Sequence, residues 1–388
     1  MLILVLLFIS CDNNNGIEAQ IDLHNPIDIT WEKLEEPDIE YNYDWGDSCI
    51  RQMDYKDGRW IGLTRCEGRW KEFQPIEFMI VDNKVKKTGY TEPIQNQNYP
   101  RIKFNNTTPV ILYNEKKDKF FGETDIRIMG DIDFKSKSFI NKKNVNRFTN
   151  GFAADEFGNI YVPSTPNMKL HLKDRIFLKV SKGLGFKDKL FPKLYKKGLK
   201  VKHQEFTIDK YNGNLEKTDS FGRWICWDNI TETDSLFRDY LLNIRHIHYY
   251  NDHIYTVSTH FGYIEKYDLE GNFASHLDLH STTPLFNIEE RVFNGEISNT
   301  KIINGKLFGF LSNSVDKLRD HLEIPQDIEA IHCFIKVDIS NENMVLEKVY
   351  YYFPQRSDGI KYTSAFVMLD ENTLVQSTGK ALRVLNLK

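Results

Sequence analysis

The chain of 388 residues lacks any apolar run long enough to cross a bilayer as a helix. Its longest, residues 1–9, is nine residues, against the roughly 20 that such a crossing needs. It lacks a basic surplus: 51 Lys and Arg against 55 Asp and Glu give a net charge of −4, which excludes a generally basic nucleic-acid binder. No Cys-x-x-Cys pair or zinc-like Cys/His spacing occurs, so a structural zinc site is not expected. Nucleophile elbow, P-loop and dinucleotide fingerprint are all missing, which removes the commonest sequence-legible enzyme classes. Helical periodicity is scarce too, and only 234–242 and 314–322 read as short helices. What is plentiful is apolar and aromatic: 40 % hydrophobic residues, with 26 Phe, 19 Tyr and 6 Trp. That is enough for a large core, and the aromatic and β-branched richness favours strands.

The nine-residue run has the length of a signal-peptide core. It ends in Leu7-Phe8-Ile9-Ser10-Cys11, and a polar stretch Asp12-Asn13-Asn14-Asn15-Gly16 follows. This resembles the lipobox of bacterial lipoproteins, although Phe8 is bulky and no basic residues precede the run. The resemblance implies cleavage after Ser10, lipidation of Cys11 and anchoring through several acyl chains. Residues 1–10 are then the signal peptide, 11–24 a tether, and 25–388 a single domain outside the cytoplasm.

Apart from Cys11, the cysteines are Cys49, Cys66, Cys226 and Cys333. Asp57-Gly58 is a two-residue hairpin signal, and an unbroken register about it opposes Lys56 to Arg59, Tyr55 to Trp60, Met53 to Gly62 and Cys49 to Cys66. An exported chain permits a Cys49–Cys66 disulfide, which is therefore expected, unless a bulge shifts the register. Cys226 and Cys333 are read as buried and unpaired.

Most of the chain reads as strands of five to eight residues separated by Asp, Asn and Gly turns. The clearest unit covers 244–279: strands 244–249, 253–258, 263–267 and 272–279, with turns at Asn251-Asp252, Phe261-Gly262 and Asp268-Leu-Glu-Gly271. This is a four-stranded antiparallel meander. Turns between first and second strands recur at Asp57-Gly58, Glu115–Asp118, Asp155–Gly158, Asn251-Asp252, Asn304-Gly305 and Asp370–Asn372. Turns between third and fourth strands recur near Asp82-Asn83, Asp133–Ser136, Asp209–Gly213, Asp268–Gly271 and Asp338–Asn341. The sixth unit runs out of chain after its third strand, whereas Ile27–Trp31 is a strand without a unit. A ring closed by an N-terminal strand in the last unit accounts for both and leaves few exposed edges. The expected fold is all-β: a six-bladed β-propeller of four-stranded antiparallel blades. An eight-strand sandwich pair and a seven-bladed ring are the alternatives.

The segments Gly151-Phe-Ala-Ala-Asp-Glu-Phe-Gly-Asn-Ile-Tyr-Val162 and Tyr267-Asp-Leu-Glu-Gly-Asn272 resemble blades of NHL-like propellers. With the lipobox, the chain from about 25 to 388 resembles the six-bladed β-propeller lipoproteins found in Bacteroidetes. These motifs speak to fold and say little about activity.

Residues 166–202 interrupt the third unit between its second and third strands. Eleven lysines and Arg175 against Asp174 and Asp188 give this insertion a net charge of +10, which leaves −14 on the rest. Lys193, Lys196, Lys197 and Lys200 interleave with large apolar residues, a pattern suited to an anionic glycan, a lipid surface or an envelope protein. The plainer reading is a solvated excursion packed on the propeller. Trp224 and Trp227 could stack on sugar rings or serve the core. His246 and His248, two apart on one strand, face the same side and are candidates for binding. Some NHL-like propellers carry an axial metal, but these histidines cluster in one unit, and neither metal nor cofactor is assigned.

The expectation is an envelope lipoprotein, monomeric and outer-membrane anchored. Through propeller loops it would recognise a macromolecule or glycan, with no specific nucleic acid and no assigned catalytic residue. The alternative is a propeller lyase or hydrolase acting on glycan or lactone at the axis, which would show carboxylates and histidines converging there from at least three units.

Overall fold

The computed structural model describes residues 30–35, 39–45, 49–65, 72–95, 100–105, 107–119, 122–145, 151–163, 167–169, 200–202, 207–222, 243–260, 262–279, 295–314, 318–319, 322–328, 330–353, 365–378 and 381–387. Within them the chain is all-β, and the strands form six four-stranded antiparallel meanders. The first comprises Ile50–Lys56, Arg59–Arg65, Glu72–Val81 and Lys84–Tyr90; the second Arg101–Asn105, Thr108–Lys119, Gly122–Asp133 and Ser138–Asn144. The third comprises Ala153–Ala154, Ile160–Pro163, Ile208–Tyr211 and Lys217–Phe221; the fourth Arg245–Tyr250, His253–Ser258, Tyr263–Asp268 and Phe273–Asp278. The fifth comprises Gly295–Ile303, Lys306–Ser314, Ala330–Asp338 and Val345–Tyr352; the sixth Phe366–Met368, Thr373–Ser377, Ala381–Asn386 and, from the other end of the chain, Ile39–Tyr43.

Turn chemistry builds these meanders. Both central residues have positive φ in Asp57-Gly58, Asp82-Asn83, Asn251-Asp252 and Asn304-Gly305, as the hairpin-compatible type I′ turn requires. The Asp-x-x-Gly-Asn turns work differently. Asp155 Oδ1 accepts from Asn159 N and Oδ2 from Asn159 Nδ2, both at 2.8 Å. Asp268 repeats the bonds with Asn272 at 2.7 and 2.8 Å. The side-chain carboxylate thus reinforces a turn that the backbone also closes, Gly158 N donating to Asp155 O and Gly271 N to Asp268 O.

Alternation along each strand then assigns its two faces to two neighbours. In the fifth meander Leu307, Leu311, Ile335, Val337 and Val349 pack with Tyr255, Val257 and Ile264 of the fourth. Their opposite-facing neighbours Phe308, Phe310, Phe334 and Tyr350 pack with Phe366, Leu374 and Leu385 of the sixth. Equivalent clusters join the sixth to the first, first to second, second to third, and third to fourth. The cycle is closed, which is the arrangement of a β-propeller. A fully buried side chain such as Phe334 contributes roughly 1.5–3 kcal/mol, so the interfaces between meanders hold the ring.

Closure differs from expectation in one respect. The strand that completes the sixth meander is Ile39–Tyr43, antiparallel to Ala381–Asn386. Thr30–Lys33, which overlaps the closing strand expected at Ile27–Trp31, adds in parallel to the outer edge of the fifth meander instead, where Glu32 pairs with Lys348 at 2.6 Å. Ile39–Tyr43 also meets Lys84–Tyr90 in parallel through Asn42 and Tyr43, so the sixth and first meanders share a continuous sheet.

Two turns move as well. The second meander's first turn follows Asn105, which pairs with Thr108; Glu115–Asp118 lies inside a twelve-residue strand, where it pairs with Glu123–Ile126. A run of charges reads as a turn but also suits a strand projecting past the core. In the third meander the turn is 212–216, where Asn212 Oδ1 accepts from the backbone N of Asn214 and Glu216; Asp209 stays in its strand and binds Lys217 at 2.7 Å. The stretch 234–242 lies outside the described residues, and within 314–322 residue 314 ends a strand.

The first hairpin has the expected register from Lys56–Arg59 to Met53–Gly62, but a shift between Gln52 and Ile50 puts Ile50 opposite Thr64. Arg65 N then donates to Cys49 O at 3.2 Å. The bulge breaks the register on which the Cys49–Cys66 disulfide rested. Cys49 is a buried free thiol, whose pKa burial pushes up; Cys66 and Cys226 lie outside the described residues. Cys333 is buried and free as expected.

Candidate functional site

The first strand of each meander is its innermost. These strands adjoin around the axis and enclose a cavity of about 60 Å³, room for a few water molecules. Five meanders line it: the first through Met53, the second through Arg101 and Lys103, the third through Gly151 and Phe152, the fourth through His246 and His248, the fifth through Ser298, Thr300 and Lys301. The sixth presents an apolar inner strand, Phe366-Val-Met368, all buried.

Three cations reach this lining, Arg101, Lys103 and Lys301. The adjoining carboxylate is Asp54. Its Oδ1 receives Lys301 Nζ at 2.8 Å, and its Oδ2 receives Phe104 N at 2.9 Å. Lys301 Nζ also donates to Met53 O at 3.1 Å, and Lys103 Nζ to Phe152 O at 3.3 Å. Burial would raise the Asp54 pKa, but Lys301, Lys103 and the Phe104 amide outweigh it and hold the carboxyl below its usual range. Burial, then the nearby Lys301 charge, brings Lys103 down to about 8, against the opposing pull of Asp54.

The two histidines that the sequence singled out do face the cavity. His246 Nε2–H donates to Ile297 O at 2.9 Å, and His248 Nε2 bonds Thr300 Oγ1 at 2.6 Å. Burial, followed by the Lys103, His246 and Lys301 charges, drives the His248 pKa well below its usual value, so this imidazole is neutral at physiological pH. Among the described residues no group of three or more His, Cys, Asp or Glu is placed to hold a metal ion.

The other expected residues are distributed differently. Cys11, Lys193, Lys196, Lys197, Trp224 and Trp227 lie outside the described residues. Lys200 belongs to a strand, Lys200–Lys202, that pairs with Asn167–Lys169. The two ends of the Lys-rich insertion therefore run side by side, between the second and third strands of the third meander as expected. Arg101, Lys103, Lys301 and Asp54 were not singled out from the sequence. Their signal is faint but physical: cations alternate with apolar residues in Arg101-Ile-Lys-Phe104, a first strand whose two sheet faces are otherwise buried.

A second charged cluster is internal. Arg245 and Glu265 form a buried ion pair on the face toward the third meander. Tyr267 Oη–H donates to Glu265 at 2.9 Å and Arg245 to Asn243 Oδ1 at 2.6 Å. Its charges answer each other, so it serves packing between the third and fourth meanders.

No family model and no curated protein matches the chain. Solved structures resemble its fold at low identity. A member of the DUF4221 family from Bacteroides vulgatus is 8 % identical with a TM-score of 0.48, covering 91 % of this chain and 98 % of its own. A protein of unknown function from Bacteroides caccae is 9 % identical at 0.38, covering 83 % and 98 %. YCF48 bound to D1 peptide is 9 % identical at 0.36, covering 89 % and 79 %.

Proposed function

We propose that this protein is a non-catalytic recognition scaffold of the cell envelope, a six-bladed propeller held to the outer membrane by a lipid on Cys11. One observation carries the recognition reading: four meanders deliver polar side chains, the cations Arg101, Lys103 and Lys301 among them, to one axial cavity. Rigid strands hold those groups in place before any ligand arrives, which limits the entropy lost on binding. A lyase or hydrolase at the axis would need a carboxylate or imidazole offered to substrate. Asp54 is occupied by Lys301 and Phe104 N, and both histidines come from one meander and are hydrogen-bonded. The Lys-rich insertion of the third meander is a second surface for the same kind of anionic partner, an acidic glycan or a lipid head group.

Two measurements test the reading. The full chain expressed in a Gram-negative host should incorporate labelled palmitate, and Cys11→Ser should abolish it; unlabelled wild type overturns the anchor. The chain should also retain acidic polysaccharide or lipopolysaccharide at physiological ionic strength and return it unaltered by mass spectrometry. Cleaved product overturns the non-catalytic reading, and absence of retention overturns recognition.

A further inference from the structure

We propose that the axial cavity is a seat for one oxyanion group, a phosphate, sulfate or carboxylate, gripped by Lys103 and Lys301 from facing strands of the second and fifth meanders. This rests on the recognition reading and names the group recognised.

The first support is a count of donors. An ammonium carries three N–H donors. Lys103 spends one on Phe152 O, and Lys301 spends two, on Asp54 and Met53 O. Three donors on two like-charged groups are therefore left for the cavity. The second is charge balance. Lys103 and Lys301 stand against Asp54 alone among the described residues around the cavity, a surplus of one positive charge. Lys301 stands close enough to Lys103 to disfavour the charged form of Lys103, a cost that a bound anion removes. The third is access. Arg101, Lys103 and Lys301 line the cavity and are each partly exposed, so the seat opens to solvent. The neutral hydroxyl of Thr300, fixed by His248 at 2.6 Å, sits in the same lining.

The test is calorimetric titration of the full chain with inorganic phosphate, sulfate and glucuronate, ionic strength matched with sodium chloride. At least one anion should bind saturably with one site, and the ranking identifies which source of oxyanion the seat prefers. Lys103→Met should weaken that binding about tenfold or more, the usual loss for a charge-assisted hydrogen bond. Arg101→Met should weaken it as well, which keeps the test open if one variant misfolds. Lys86→Met, at an exposed cation far from the axis, should leave it unchanged. No saturable binding of any of the three anions, or wild-type affinity in both lining variants, overturns the proposal. If the anions fail while acidic polysaccharide or lipopolysaccharide is still retained, the oxyanion seat is wrong and the recognition reading stands; if both fail, both fall.

Discussion

Lys301 and Asp54 lie 247 positions apart and meet at 2.8 Å on the propeller axis. They belong to the fifth and first meanders, so the pair reaches past the apolar inner strand of the sixth. Each side chain is only 14 % exposed. Removing one partner of such a pair leaves the other charge without its partner, at a cost of about 3–5 kcal/mol. Asp54→Asn should therefore destabilise the fold by about 3 kcal/mol in urea unfolding, because Lys301 and Lys103 both lose their counter-charge. The double variant Asp54→Asn/Lys301→Met should recover most of that loss. Equal stabilities for wild type and Asp54→Asn would show that the pair does not hold the axis.

Lys103 gives a pH signature. Its folded pKa, about 8, lies below the value near 10.5 of an exposed lysine. Between these two values the unfolded chain binds more protons, so the Lys103 contribution to stability rises with pH. Below the folded value the buried ammonium keeps its full penalty. Lys103→Met should thus be more stable than wild type near neutrality, and the two curves should converge as pH rises from about 8 to 10.5. A stability difference that is flat across that window contradicts this account. Gained stability together with lost anion binding in one variant would mark Lys103 as a group serving ligand at the expense of the fold.

Gly271 closes the Asp268 turn at φ +88, and a Cβ there would lie 2.5 Å from Cβ of Phe221 in the third meander. Gly271→Ala meets both a strained backbone and a collision between meanders. A loss of about 2–4 kcal/mol is expected, read as a lowered Tm. Gly58→Ala, also at positive φ but with nothing within 4 Å of its Cβ, should cost only about 1 kcal/mol.

The two N-terminal strands should separate on truncation. A chain starting at residue 36 loses Thr30–Lys33 and its Glu32–Lys348 pair but keeps the ring closed. A chain starting at residue 46 also loses Ile39–Tyr43, which exposes the edge of Ala381–Asn386 and removes the Tyr43–Ser377 hydrogen bond of 2.8 Å. Urea unfolding should stay cooperative in the first and broaden or fail in the second. Equal midpoints for both would show that closure does not depend on this strand.

Cys49, buried and with its thiol pKa raised by burial, should resist iodoacetamide until the chain unfolds. Peptide mapping without reductant should recover it as a free thiol. Recovery of a Cys49–Cys66 peptide would instead show that the chain adapts to the bulge.

Much of the meander plan was legible because turn chemistry is local. Asn251-Asp252 and Asn304-Gly305 tolerate positive φ, and Asp268 closes its own turn through Asn272, whatever surrounds them. The fourth meander's strands, 245–278, lie within about one residue of expectation for that reason. The bulge at Gln52 and Ile50 was not legible, since one extra residue leaves no compositional trace and yet sets Cys49 against Arg65, whose N donates to its carbonyl.

The absence of a basic surplus in the chain, net charge −4, says nothing about the axis. Sequence alone determined that the chain is all-β, built of repeated hairpins and closed by a strand from its own N-terminus, because alternation and turn residues act over a few positions. Tertiary structure alone decided which N-terminal strand closes the ring. It also decided that Arg101, Lys103 and Lys301 share a cavity with one engaged carboxylate. Residues some 200 positions apart become neighbours only when six meanders pack in a cycle, and no local rule of spacing records that meeting.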